Sequence, residues 1–68
     1  MKWEEGFRIR VRLEDEAVVI SANRAGLLSL AGCLAELADG KPGDHYHFDR
    51  FNSLEECSAE MIIEKAET

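Results

Sequence analysis

Half-cystine pairs, proline, tryptophan and long apolar runs are scarce in this chain, and each scarcity removes a class of protein. Cys33 and Cys57 are the only cysteines among 68 residues. Widely spaced and without a secretory leader, they read as free thiols of a reducing compartment rather than a disulfide framework. The opening Met1-Lys2-Trp3-Glu4-Glu5-Gly6 has no apolar core of a signal peptide, and no segment approaches the ~18 apolar residues of a membrane span. A soluble, cytoplasmic chain is the expectation. Positive charge is also in deficit: 8 Lys and Arg against 14 Asp and Glu give a net charge of −6. Such a surface repels phosphate backbones, which argues against nucleic acid and suits a basic protein partner.

Length sets a further bound. At 68 residues there is room for one domain, spanning 1–68, and only about 60% of the unfolded chain's surface can be buried. A deep catalytic cleft would remove core that such a fold needs. Self-association is an economical way to cover apolar surface that a single helix leaves open.

What is present is clear periodicity. Phe7-Arg8-Ile9-Arg10-Val11-Arg12-Leu13 alternates apolar and basic residues, which predicts a strand with Phe7, Ile9, Val11 and Leu13 inside and the arginines outside. Ala17-Val18-Val19-Ile20-Ser21 is short and β-branched and forms the return strand. A two-residue turn at Asp15-Glu16 would pair Leu13 with Val18 and Val11 with Ile20; a three-residue turn would reverse the faces. Asn23 or Ser21 is placed to cap a helix, whose stripe of Leu27, Leu30, Ala31, Leu34, Leu37 and Ala38 faces the core. Gly26 and Gly32 suggest close packing on the sheet, and Gly40 with Pro42 ends the helix. Asp44-His45-Tyr46-His47-Phe48-Asp49 predicts a third strand with Tyr46 and Phe48 inside. Ser53 and Glu56 have capping-box spacing for one helical turn. Glu60-Met61-Ile62-Ile63-Glu64-Lys65 predicts the last strand, and Lys65–Thr68 a fraying tail. The expected fold is α+β, in the order β-β-α-β-β. It is a four-stranded antiparallel sheet with one helix packed on one face and the other face open.

The candidate chemistry is thin. His45 and His47 share a strand face and are weak candidates for a metal pair, with Asp44, Asp49, Glu60 or Cys57 as possible further ligands; no metal or cofactor is expected. Cys33 falls mid-helix as a small buried residue, and Cys57 lies among Glu55, Glu56 and Glu60, a poor setting for a nucleophile. Asp39-Gly40-Lys41-Pro42-Gly43 follows a helix and lacks the strand-to-helix setting of a phosphate loop. No nucleophile, base and oxyanion site assemble, so an enzyme is not expected. The Arg8, Arg10 and Arg12 stripe lacks the exposed strand aromatics of RNA-binding sheets, and Glu60 and Glu64 offer it internal partners if the first and last strands are neighbours. The open face therefore gathers Arg8, Arg10, Arg12, Asp44, His45, His47, Asp49 and Ile62, a charged surface with an apolar centre suited to a protein contact. Trp3 could add an anchor or cover the sheet edge.

The blocks Ser21-Ala22-Asn23-Arg24-Ala25-Gly26-Leu27-Leu28-Ser29-Leu30, Gly43-Asp44-His45-Tyr46-His47-Phe48-Asp49, Asn52-Ser53-Leu54 and Met61-Ile62-Ile63-Glu64-Lys65, in that order, resemble the Immunity protein 32 family. The likeness runs from the second strand to the last; Met1–Leu13 contributes little, and Glu55-Glu56-Cys57-Ser58 stands where a more glycine-like turn is expected. The resemblance implies a small bacterial protein of polymorphic toxin systems that binds and neutralises a toxin without chemistry of its own. It brings no binding residues. A metal- or ligand-binding domain using His45 and His47, and a homodimeric module pairing through its open faces, are the rival readings.

Overall fold

The structure, a computed structural model, describes residues 2–67. Two hairpins flank one helix: β1 (Ile9–Glu14), β2 (Ala17–Ala22), α1 (Arg24–Ala38), β3 (His45–Phe48) and β4 (Met61–Glu64). The element order agrees with the sequence pattern. The single four-stranded sheet does not: β1 and β2 form one two-stranded antiparallel sheet, and β3 and β4 form another.

The reason lies in the segment between the sheets. The amides of Glu55 and Ala59 donate to the carbonyls of Ile9 and Val11 at 2.9 and 2.8 Å, so residues 55–59 run alongside β1 in the same chain direction. Between these two bonds the Val11 amide donates to the Ser58 hydroxyl at 3.2 Å instead of to a backbone carbonyl. Cys57 there adopts a left-handed backbone, φ 68°. A side chain standing in for a ladder rung, beside a residue that L-side chains rarely allow at positive φ, ends regular pairing. Glu60 and Glu64 consequently gain no ladder beside the arginines; β1 has segment 55–59 as its second neighbour.

The β1–β2 connection is the two-residue turn, with Asp15 at φ 56°. Its register pairs Ile9 with Ala22, Val11 with Ile20 and Leu13 with Val18. These six side chains share the helix-facing side. Ile9 and Val11 are fully buried, but Leu13, 68% exposed, is not the core residue its alternation predicts. The helix explains this. It starts over the Ile9–Ala22 end and finishes beside the start of β3, leaving the far half of the hairpin bare.

Asn23 caps α1, accepting from the Gly26 amide at 2.8 Å. At the other end Lys65 Nζ donates to the Ala38 and Gly40 carbonyls, both at 2.7 Å. Lys65 also exchanges backbone bonds with Gly43 and Asp44, so this first residue of the expected fraying tail is held in place. Thr68 lies outside the described residues. No helical turn forms at Ser53–Glu56; Asp49 organises that loop, its carboxylate accepting from the Phe51 and Asn52 amides at 2.9 and 3.1 Å.

The buried stripe of α1 is Gly26, Ser29, Leu30, Cys33 and Leu37. Leu27 and Leu34, expected inside, are 55% and 46% exposed, and Ala31 and Ala38 are exposed beside them. The helix is turned so that its small residues meet the sheet. A Cβ at Gly26 would stand 2.5 Å from the Arg8 carbonyl oxygen, and Ser29 is fully buried, accepting from the Glu4 amide and donating to the Ala25 carbonyl, both at 2.8 Å. The core is Ile9, Val11, Leu30, Cys33, Phe48 and Leu54, with Trp3, Phe7, Tyr46, Met61 and Ile63 packed around it. Trp3 stacks on Phe7 with centroids 4.7 Å apart, an anchor for the N-terminal segment.

Gly32, unlike Gly26, faces open space. It serves no close approach, contrary to the sequence expectation. Gly32→Ala should therefore raise stability by up to about 1 kcal/mol through helix propensity alone, read as a higher urea midpoint at unchanged m value.

Candidate partner-binding surface

Strand alternation turns Arg8, Arg10 and Arg12 away from the helix. They line a shallow depression together with Ser21, Ala22, Asn23 and Glu55. Arg8 Nε donates to Glu55 at 2.8 Å and Arg12 Nε to Glu14 at 2.9 Å. Both pairs are solvated and worth well under about 1 kcal/mol to the fold. Arg10, between them, has no ion-pair partner among the described residues.

The second sheet contributes His45, His47 and Ile62. The register sets His45 opposite Glu64 and His47 opposite Ile62, while Tyr46, Phe48, Met61 and Ile63 turn to the core. The two imidazoles meet edge to face with centroids 4.9 Å apart, and His45 Nδ1 lies 3.1 Å from the Gly43 carbonyl oxygen. Among the described residues, no group of three or more His, Cys, Asp or Glu is arranged to hold a metal ion. Ile62 is 60% exposed beside them.

Asp44 and Asp49 have structural duties. The Asp44 carboxylate accepts from the Lys41 amide at 2.9 Å and closes the turn after α1. A hollow of about 300 Å³ opens there between Glu36, Leu37, Asp44, His45 and Tyr46. Asp49 holds the loop that follows β3 and so fixes the position of Phe51.

Phe51 is the residue that strand patterns miss. It is 84% exposed, with the Arg50 guanidinium 4.9 Å from its ring centroid. It borders one hollow with Phe7, Arg8 and Glu55 and another with Cys57, Ser58 and Glu60. The available signal was its context: an aromatic residue in Asp49-Arg50-Phe51-Asn52, a turn-forming run, cannot enter the core with its neighbours. Both thiols are free, Cys33 in the core and Cys57 at the surface.

The family model for Immunity protein 32 matches residues 17–66. The chain belongs to the Immunity protein 32 family. The match starts at the first residue of β2, takes in α1, β3 and β4, and leaves out β1 with its arginines. The blocks that carry the sequence resemblance all lie within it. Within it lie Asn23 and Gly26, which hold the helix start, and Asp49, which holds the post-β3 loop. No curated protein and no solved structure matches the chain. No helix among the described residues is long and apolar enough to cross a membrane.

Proposed function

We propose that this chain is a non-catalytic immunity protein that binds a toxin domain in the cytoplasm and occludes it with the face opposite α1. The observation that carries the reading is the character of that face within a family named for immunity. The strand surfaces turned from the core present Arg10, without an ion-pair partner among the described residues, and Ile62 beside His45 and His47, and the loop pinned by Asp49 adds the exposed Phe51. Arg and aromatic residues on rigid supports are the groups that dominate protein interfaces. Arg8 and Arg12 flank the contact, and Asp44 and Asp49 hold its two loops. The net charge of −6 speeds encounter with a basic toxin, so affinity should fall with salt.

The test is calorimetric titration of the toxin domain, isolated from the native lysate by the tagged chain, with alanine variants that leave the circular dichroism unchanged. Phe51→Ala and Arg10→Ala are each expected to weaken binding by about tenfold or more, and the His45→Ala/His47→Ala pair by a smaller factor. Full protection of toxin-expressing cells by the triple Arg10, Phe51 and His47 alanine variant would place the contact elsewhere.

A further inference from the structure

The helix side of the molecule is as unusual as the strand side. From Ala25 to Ala35 α1 carries no charged residue, and Leu27, Leu28 and Leu34 are each between 42% and 55% exposed. A surface helix ordinarily turns a charged face to water; an uncharged one is normally covered. Next to it, the bare half of the hairpin exposes Leu13, Val18 and Ile20 on the same side as α1. Glu36 and Leu37 line the hollow beside β3 and Ser29 is bonded to the N-terminal segment, so the flank bearing Leu27, Ala31 and Leu34 is the one turned toward this hairpin.

The charges at the ends of α1 identify the cover. Arg24 opens the helix and Asp39 is its C-cap, with no acidic residue in the first turn and no basic one in the last. Both signs oppose the helix macrodipole. Neither side chain has an ion-pair partner among the described residues. Lys65 covers the terminal carbonyls but leaves the Asp39 carboxylate unpaired. The pattern is self-complementary. Ala31 lies at the middle of α1, with Leu27 one turn before it and Leu34 one turn after. A second α1 laid antiparallel across Ala31 sets each Leu27 against the other copy's Leu34. It also sets each Arg24 against the other copy's Asp39, where each charge has the favourable sign for the neighbouring helix terminus.

We propose that the domain forms a two-fold homodimer through the Leu27–Ala31–Leu34 flank of α1, each copy's helix closing the bare hairpin half of the other. The six exposed aliphatic side chains present on the order of 500 Å² per copy, hence roughly 1,000 Å² in the pair, the low end for a specific interface. The face opposite α1 stays free on both copies, so the dimer stands independently of the toxin-binding proposal.

Sedimentation equilibrium of the full chain, from about 1 to 500 μM, is the test. Wild type should pass from monomer to dimer across that range. Ala31→Arg, at an exposed position on the two-fold axis, should remain monomeric with unchanged helicity. Arg24→Asp and Asp39→Arg should each weaken the dimer about tenfold while raising the monomer's melting temperature, because each corrects a charge against its own macrodipole. The double exchange Arg24→Asp/Asp39→Arg should restore association. A monomer at every concentration, a dimer indifferent to Ala31→Arg, or a double exchange that stays as weak as the single ones would overturn the proposal. So would a monomer whose Ala31→Arg variant loses a toxin, which would assign the flank to a foreign protein.

Discussion

Gly26→Ala should lower the unfolding free energy by about 2 kcal/mol, roughly half of what a domain of this size holds. The added Cβ would stand 2.5 Å from the Arg8 carbonyl oxygen and 3.0 Å from both the Ala22 Cβ and the Ile9 Cγ1. None of these is a flexible side-chain end. The Arg8 carbonyl is fixed by the Asn23 amide at 3.2 Å, and Ile9 has no exposure at all. The helix must therefore lift from β1, opening the contact of Leu30 and Cys33 with Ile9 and Val11. Overpacking costs about 1–3 kcal/mol, here toward the upper end because backbone blocks the new atom, against a propensity gain of about 1 kcal/mol for replacing glycine in a helix. A domain of this size has on the order of 3–5 kcal/mol in hand. Urea unfolding followed at 222 nm is the measurement, with Gly32→Ala as the matched control. Equal midpoints for the two variants would mean that the α1–β1 contact is looser than described.

Asn23→Ala should cost about 2–3 kcal/mol, more than a simple cap. Its Oδ1 accepts from the Gly26 amide at 2.8 Å and from the Arg8 amide at 3.0 Å, and its Nδ2 donates to the Gly6 carbonyl at 3.0 Å. One side chain thus ties the helix start, the entry to β1 and the N-terminal segment together. Loss of the cap alone is worth about 1 kcal/mol, and each further bond removed adds up to about as much. Asn23→Asp keeps the acceptor and places a favourable negative charge at the helix N-terminus, but it turns the donation to Gly6 into a contact between two acceptors, so it should cost less than Asn23→Ala without being neutral. Hydrogen exchange at the Arg8 and Gly26 amides separates the two variants: both amides should exchange faster in Asn23→Ala and keep most of their protection in Asn23→Asp.

Much of the candidate surface could be read along the chain because strands report faces directly. Arg8, Arg10, Arg12, His45, His47 and Ile62 point away from the core for the same reason: alternation with Ile9, Val11, Tyr46, Phe48 and Ile63. No strand period marked Phe51, only its turn-forming context; its exposure follows from the hydrogen bonds that the Asp49 carboxylate accepts from the Phe51 and Asn52 amides. The Arg8–Glu55 pair was illegible, because 47 residues separate its members and only the docking of segment 55–59 on β1 joins them.

The helix marks the boundary between local and tertiary information most sharply. Its existence, its cap at Asn23 and its end before Gly40 follow from local chemistry: a side-chain acceptor for free amides, a run of good helix formers, then glycine and proline. Its rotation does not. Two apolar stripes lie side by side on α1, and hydrophobicity alone favours burying Leu27 and Leu34. Packing chose the stripe of Gly26, Ser29, Cys33, Leu30 and Leu37, because only small side chains let the helix approach the Arg8 carbonyl and the Ile9 side chain. The sheet divides in the same way. Alternation determined four strands and their faces, whereas the break between the hairpins depended on a hydroxyl, Ser58, occupying a backbone rung beside the left-handed Cys57. Periodicity is a property of neighbouring residues and is written along the chain; which of two acceptable surfaces is buried depends on the shape of what it meets, and that shape exists only once the chain has folded.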